Sequence, residues 1–464
     1  MRTERRDQQN LNLTEDTHRT YNSTLSGQNM NKSGQLDMFP SWDVRIGSRA
    51  QDKSSVFNNL MKHINKDTLH QAFKAVDGSK ALGVDGISKY AFGTNLEGNI
   101  EDLVKRIQSG TYRPKPKREV LIPKANGKTR PIAISCFEDK LVDWVAGKIM
   151  SLLYEPMFIR NSFGYRPGKS ADRAVKACYY SMEKNKRPYV FEIDFSSFFN
   201  TIPHRKLMEM IEKKIADKRF HGLIRRFLSS GILAPSGEEL PSEVGTPQGS
   251  IMSPVLANIY LNEVIDQWFL ESWVSYNNVI VRYADDAVFF FKREDDALKF
   301  KSDLEKRVEQ FGLKLNEEKT KMIKLDKSSQ LHFHFLGFTF YWGKQGSRRI
   351  FKVKTQKEKL IKAIMEFDCW IKIHRSKCKL KELWEIAKSK IRGHFNYYGF
   401  SMNNLKINHF LWRASKSLFK WLNRRSQKLS YSPEGFDERL KNFPLLEDFD
   451  KLKWKKLGRS FGTI

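Results

Sequence analysis

The sequence predicts an α+β fold, and three stretches carry that prediction. Residues 279–291, VIVRYADDAVFFF, place apolar, β-prone side chains on both sides of Tyr283-Ala284-Asp285-Asp286. That is the pattern of two strands joined by a tight turn. Residues 120–134 repeat it around an Asn126-Gly127 turn. From about residue 348 the spacing becomes helical, in Lys- and Trp-rich segments at 357–367, 380–396 and 407–423. Each of these mixes an apolar face with many cations, and Trp370, Trp384, Trp412 and Trp421 add aromatics.

Taken in order, residues 1–55 are rich in Asn, Gln, Ser, Thr, Arg and Asp with little apolar periodicity, and are expected to form a flexible polar arm. Helical spacing begins over 56–76. Gly83-Val84-Asp85-Gly86 reads as a turn, and a second helix near 100–107 ends at Ser109-Gly110. After the 120–134 hairpin, residues 189–200 (YVFEIDFSSFFN) form a short apolar strand with Asp194 near its end. Glu192 shares its face, and Phe195, Phe198 and Phe199 follow. Residues 207–228 read as one helix, cationic on one side. Residues 245–249 (GTPQG) form a loop that leads into a helix over 255–268, capped near Ser253-Pro254. Beyond the acid pair, 297–311 is helical, 313–321 carries Lys319 and Lys321, and 335–338 (FLGF) reads as a strand. Gly337 stands there where a backbone would need close approach.

Two acids amid so much apolar sequence are expensive to bury unless something positive sits on them. A divalent cation is the obvious candidate, because carboxylate oxygens with Mg²⁺ are the pairing that nucleotide chemistry uses. The plain alternative is a surface hairpin whose acids face water. Asp194 is the third acid. One carboxylate at a strand end and a pair on a neighbouring hairpin can form a two-metal site, with ions roughly 3.5–4 Å apart, for in-line phosphoryl displacement. Lys124 and Arg130 flank the 120–134 turn, where cations could close over a triphosphate, Arg bidentately and Lys as a point charge. Two solvated cations would look the same. Residues 164–170 (GYRPGKS) end like a nucleotide-binding P-loop but hold only three residues between glycine and Gly-Lys-Ser, one of them Pro167, so that reading is rejected.

The YADD turn preceded by a separate Asp194 resembles the palm of reverse transcriptases. Around it stand, in order, Ile122-Pro123-Lys124, GKTRPIAI at 127–134, FGYRPG at 163–168, GTPQG at 245–249, SPVLANIYL at 253–261, LNEEKTK at 315–321 and FLGFTF at 335–340. This ordered set, covering roughly residues 80–425, is similar to that of group II intron-encoded reverse transcriptases, the maturases. The resemblance implies a right-hand polymerase. Residues 1–55 would be the polar arm, 56–345 the fingers and palm, and 346–464 an α-helical thumb or maturase X domain, to which IRGHFNYYG at 391–399 is similar. It implies Asp194, Asp285 and Asp286 as catalytic ligands of two Mg²⁺ ions. Lys124 and Arg130 would hold the nucleotide phosphates. Phe199 would exclude a 2′-hydroxyl and Gln248 would meet the nucleotide or template base. Arg166 and Lys169 would lie beside the template, Tyr283 beneath the primer, and Gly337 in the primer grip. Asn200 departs from the Asp common after the aromatic pair, without touching a ligand. No paired-cysteine nuclease pattern follows.

The 464 residues suffice for two or three domains. Lys and Arg number 82 against 53 acids, a net charge of +29, and aromatics make up 12%, a balance that favours a nucleic-acid partner. No long uncharged apolar run and no signal-peptide pattern supports a membrane. Four scattered cysteines, Cys136, Cys178, Cys369 and Cys378, argue against a disulfide framework or zinc site and for reduced thiols in the cytoplasm. The expected activity is DNA synthesis from dNTPs on an RNA template, extending a DNA or RNA primer, with binding of group II intron RNA and target DNA. Two alternatives stay open. One is a maturase that binds RNA without polymerising, against which the intact acids, Lys124, Arg130 and Gln248 argue. The other is a domesticated relative serving phage defence, CRISPR adaptation or DNA repair.

Overall fold

The computed structural model describes residues 41–123, 129–183, 187–274, 277–425, 430–446 and 454–455. As the sequence led us to expect, the chain is α+β. Among the described residues the strands form three sheets, ordered β2-β1-β4-β5, β6-β7-β3-β8 and β11-β10-β9. In the first, β1 (Lys117–Pro123) and β2 (Thr129–Ile134) pair antiparallel, Val120 opposite Ile132. The short β4 (Ile232–Leu233) lies parallel to β1 and antiparallel to β5 (Glu239–Leu240). The second holds β3 (Tyr189–Ile193), β6 (Val279–Tyr283), β7 (Asp286–Phe291) and β8 (Lys321–Lys324). The third holds β9 (His332–Phe335), β10 (Phe338–Gln345) and β11 (Arg348–Thr355).

By its internal contacts the chain divides into two compact units, one of residues up to 170 with 193–287 and 298–320, the other of 171–192, 288–297 and 321 onward. The first is built on the helix Phe137–Tyr154, which buries Leu141, Val142, Val145, Ala146, Ile149, Met150 and Leu153. Apolar on nearly every side, it is a core helix, not a surface one. In the second, three helices, Lys357–His374, Leu380–Tyr398 and Asn404–Leu422, enclose Phe367, Ile371, Leu383, Ile391, Phe410, Leu418 and Leu422. Among the described residues no helix is long and apolar enough to cross a membrane.

Four local readings change. Where the sequence suggested little order before residue 56, Trp42–Ala50 is a helix that buries Ile46 and Ala50, and Trp42 stacks on His63 at 5.3 Å. The single helix read over 207–228 is two, His204–Glu212 and Lys218–Ser229. Its interruption is held by Asp217, whose carboxylate caps Arg219 and Phe220 and also accepts from the backbone N–H groups of Leu60 and Met61. The helix Ser253–Leu261 runs through a π turn, Asn262–Gln267, into Trp268–Trp273. Finally, 335–338 is a turn between β9 and β10, with Leu336 and Gly337 both left-handed (φ 51° and 75°), the two-residue geometry that suits a twisted hairpin. A Cβ on Gly337 would come within 2.8 Å of the Tyr398 hydroxyl, so that position is closed to larger residues.

Candidate active site

β6 and β7 bracket the acid turn. Ala284, between them, adopts φ 57°, a left-handed conformation that an alanine holds only when its surroundings enforce it. The enforcement comes from below. Arg282, fully buried on β6, donates through Nη1 to the Ala284 carbonyl (2.9 Å) and to Asn258 Oδ1 (2.8 Å). Its other nitrogens grip the buried Asp266 at 2.8 and 2.5 Å. Asn258 in turn donates to the Gly164 carbonyl at 2.8 Å. In a regular α-helix Asn258 and Asp266, eight residues apart, would diverge by about 80°. The intervening π turn takes up the excess residue, which is the use such bulges commonly serve.

A second strut comes from the FGYRPG segment. Phe163 N–H donates to the Arg282 carbonyl and Arg282 N–H to that of Asn161, at 2.8 and 3.0 Å. Gly164 lies so close that a Cβ would fall 2.3 Å from the Ala284 nitrogen. Tyr165, left-handed at φ 56°, follows. Burial pushes its hydroxyl pKa up, and the charges of Asp285 and Asp286 push it further while Arg130 pulls it down.

Asp285 is brought into the field of Asp194 and Arg130. Burial holds its carboxyl above the usual carboxylate range; Arg130 and Arg282 lower it, and the nearby charge of Asp194 raises it. Asp194, at the end of β3, takes Asn316 Nδ2 (3.3 Å) and Lys319 Nζ (3.0 Å), both on Oδ2. Glu192, two residues before Asp194, accepts the His334 N–H, and burial raises its pKa to about 7. Among the described residues no three His, Cys, Asp or Glu side chains are gathered tightly enough to hold a metal. The donor chemistry nevertheless fits a hard divalent cation: a desolvated Asp285 within the field of a second carboxylate is a pair that a positive charge would stabilise.

Arg130 Nε donates to Gln248 Oε1 at 3.0 Å, so two of the expected nucleotide-binding residues meet. The Gln248 carbonyl accepts from Ala133 of β2, and Gly249 (φ 122°) leaves no room for a Cβ against the Ala133 carbonyl. Behind the loop, buried Asp143 accepts from the Ser250 hydroxyl and from the N–H groups of Ile251 and Met252. Phe198 is core, and Phe199 is half-buried with its ring edge-on to Phe198. The Phe199 carbonyl accepts from Thr246, and Gly245 passes too near it to carry a side chain. The loop and the aromatic pair are thus pinned to one another.

Other expected residues fall elsewhere. Lys124 lies outside the described residues. Arg166, read as a template contact, is buried instead. It donates to the Glu155 carboxylate and to the carbonyls of Ile159 and Ser162 (2.6 Å each), so its guanidinium braces the 155–166 loop. Lys169 donates to the Arg160 carbonyl at 2.9 Å. Tyr283 is half-buried, and its hydroxyl pKa is raised chiefly by burial. Gly337 belongs to the second unit. Sequence reasoning passed over Tyr165, Asn258, Asp266, Arg282, Asp143 and Asn316. A charged residue inside an apolar strand, as at Arg282, was the one available signal.

Residues 122–340 match the family described as reverse transcriptase (RNA-dependent DNA polymerase). The chain is 32% identical to an uncharacterised 91 kDa protein in the cob intron of Schizosaccharomyces pombe over 56% of this chain and 32% of that protein. It is 33% identical to the Escherichia coli protein YkfC over 52% of this chain and 66% of that one. It is 26% identical to the group II intron-encoded protein LtrA of Lactococcus lactis over 81% and 76%. The chain thus spans about a third of the first of these relatives and just under two thirds of the second. A solved telomerase from Candida albicans aligns with TM-score 0.42 and 13% identity, over 79% of this chain and 69% of that one.

Proposed function

We propose that the chain is a group II intron-type reverse transcriptase and maturase, an RNA-directed DNA polymerase that extends a primer on an RNA template and binds intron RNA to assist splicing and mobility. On this reading residues 56–345 are fingers and palm and 346–464 the thumb. The observation that carries it is the meeting, in one field of charge, of Asp285, Asp194 and the Arg130–Gln248 pair. Asp194, Asp285 and Asp286 would hold two Mg²⁺ ions, whose charge would lower the pKa of the primer 3′-hydroxyl and neutralise the departing pyrophosphate.

The chain's own residues do the positioning. Arg130 offers its guanidinium to the dNTP phosphates, and Gln248, held by Arg130 and Ala133, orients the base pair. Phe199 lies under the deoxyribose, and Tyr283 supports the primer end. The basic surface, +29 overall, binds template and target DNA backbones with steep salt dependence. Gly337 sets the tight turn of the primer grip. The test is extension of a DNA primer on an RNA template with dNTPs and Mg²⁺; a purified chain that binds the duplex yet adds no nucleotide would overturn the reading.

A sharper consequence concerns sugar choice. Phe199→Val removes the ring that meets a 2′-hydroxyl while leaving its backbone bond to Thr246. Incorporation of ribonucleotides relative to dNTPs is expected to rise roughly ten- to hundredfold, the usual worth of a steric contact in a pocket. Unchanged discrimination in single-nucleotide kinetics would remove Phe199 from the sugar site.

A further inference from the structure

We propose that Lys319 is a built-in counterion for Asp194, seated on the carboxylate until a divalent cation displaces it, and that it thereby sets the cation concentration at which the site fills. This rests on the three-aspartate reading above.

Lys319 is delivered to Asp194 by backbone, not by chance reach. Asn316 N–H donates to the Asp194 carbonyl at 2.7 Å and Ser196 N–H to the Lys314 carbonyl at 2.8 Å. Phe195 and Leu315 pair as an isolated bridge between those two bonds. A turn closed by Lys319 N–H on the Asn316 carbonyl then brings the ammonium to Asp194 Oδ2. Lys319 and Asn316 converge on that one oxygen.

Exposure distinguishes this pair from the structural one beneath the turn. The Lys319 side chain is 64% exposed and that of Asp194 32%, whereas Arg282 and Asp266 are both at 0%. A pair open to water is held weakly and exchanges easily. A divalent cation brings twice the charge of an ammonium to the same hard oxygens, and its attraction reaches Asp285 as well. Lys319 therefore relieves the mutual repulsion of Asp194 and Asp285 while no cation is bound, and competes with the cation that replaces it.

The experiment is Mn²⁺ binding to the full chain at low ionic strength, without nucleic acid or nucleotide, followed by electron paramagnetic resonance of the free ion. Lys319→Met is expected to bind Mn²⁺ roughly two- to fivefold more tightly, the worth of an exposed pair, and Lys319→Arg to stay near the unaltered chain. Asp194→Asn should weaken binding and erase the difference. If Lys319→Met binds no more tightly while Asp194→Asn still weakens binding, the counterion role falls and the metal site stands. If Asp194→Asn leaves Mn²⁺ binding unchanged, the three-aspartate site itself falls.

Discussion

Asp285→Asn is expected to reduce primer extension by at least about a thousandfold, the scale on which loss of a charge that stabilises the transition state is felt, while leaving the protein as stable as before or slightly more so. The two effects have one cause. Burial holds the Asp285 carboxyl above its usual range, and Asp194 adds to that. The folded chain therefore keeps this proton to a higher pH than the unfolded chain does. The group's contribution to stability is full at low pH and falls as pH rises from the ordinary carboxylate range through the raised value. Above the ordinary carboxylate range the buried group is a cost that the fold carries for the site. Asparagine has nearly the same shape and no charge, so it removes that cost together with the chemistry. Thermal melts at several pH values between about 4 and 7, run beside extension assays, check both halves. A variant that extends normally would refute the assignment. One that melts earlier at neutral pH would show that the carboxylate is stabilised by something other than the arrangement described.

The elements that sequence reading recovered are those whose signal is local. The strand–turn–strand around 284, the hairpin of β1 and β2, and the three C-terminal helices each follow from the period of their apolar residues, and packing only fixed their ends. What the period could not carry was an interruption set from a distance. The apolar spacing of 207–228 continues unbroken through Asp217, but the carboxylate there serves backbone groups at Leu60 and Met61, more than 150 residues away. Likewise FLGF reads as a short apolar strand, and the phenol of Tyr398 that closes the space beside Gly337 lies some sixty residues on.

The site divides along the same line. Asp194 and Asp285 stood out by spacing and chemistry, and Arg130 and Gln248 through the family resemblance, but the sequence does not hold the arrangement that sets one in the field of another. Arg166 shows the opposite error. A cation in a Gly-Pro loop looks solvent-facing, and nothing in the order of residues says that Glu155 and two carbonyls wait to receive it. The polar groups that shape the acid turn, Asn258 and Asp266, sit in a helix whose composition reads as plain core, SPVLANIYL and beyond. Their purpose becomes visible only once the π turn sets them on one side.

That network gives the second large prediction. Arg282→Met leaves the Asp266 carboxyl wholly buried and without its partner, the circumstance in which breaking a buried pair costs about 3–5 kcal/mol. The variant is expected to unfold at markedly lower denaturant and to lose extension, but that result alone would not separate folding from positioning. The double variant Arg282→Met with Asp266→Leu does. With no orphaned charge and similar volume filled, most of the lost stability should return, since apolar replacements of buried pairs are often neutral or better. Activity should not return with it. The Ala284 carbonyl and Asn258 Oδ1 both still lack the donor that Arg282 supplied, and the left-handed turn carrying Asp285 loses the bond that over-determines it. A refolded, stable double variant that polymerises as the unaltered chain does would mean that the turn holds its shape without Arg282, and that the pair serves stability alone.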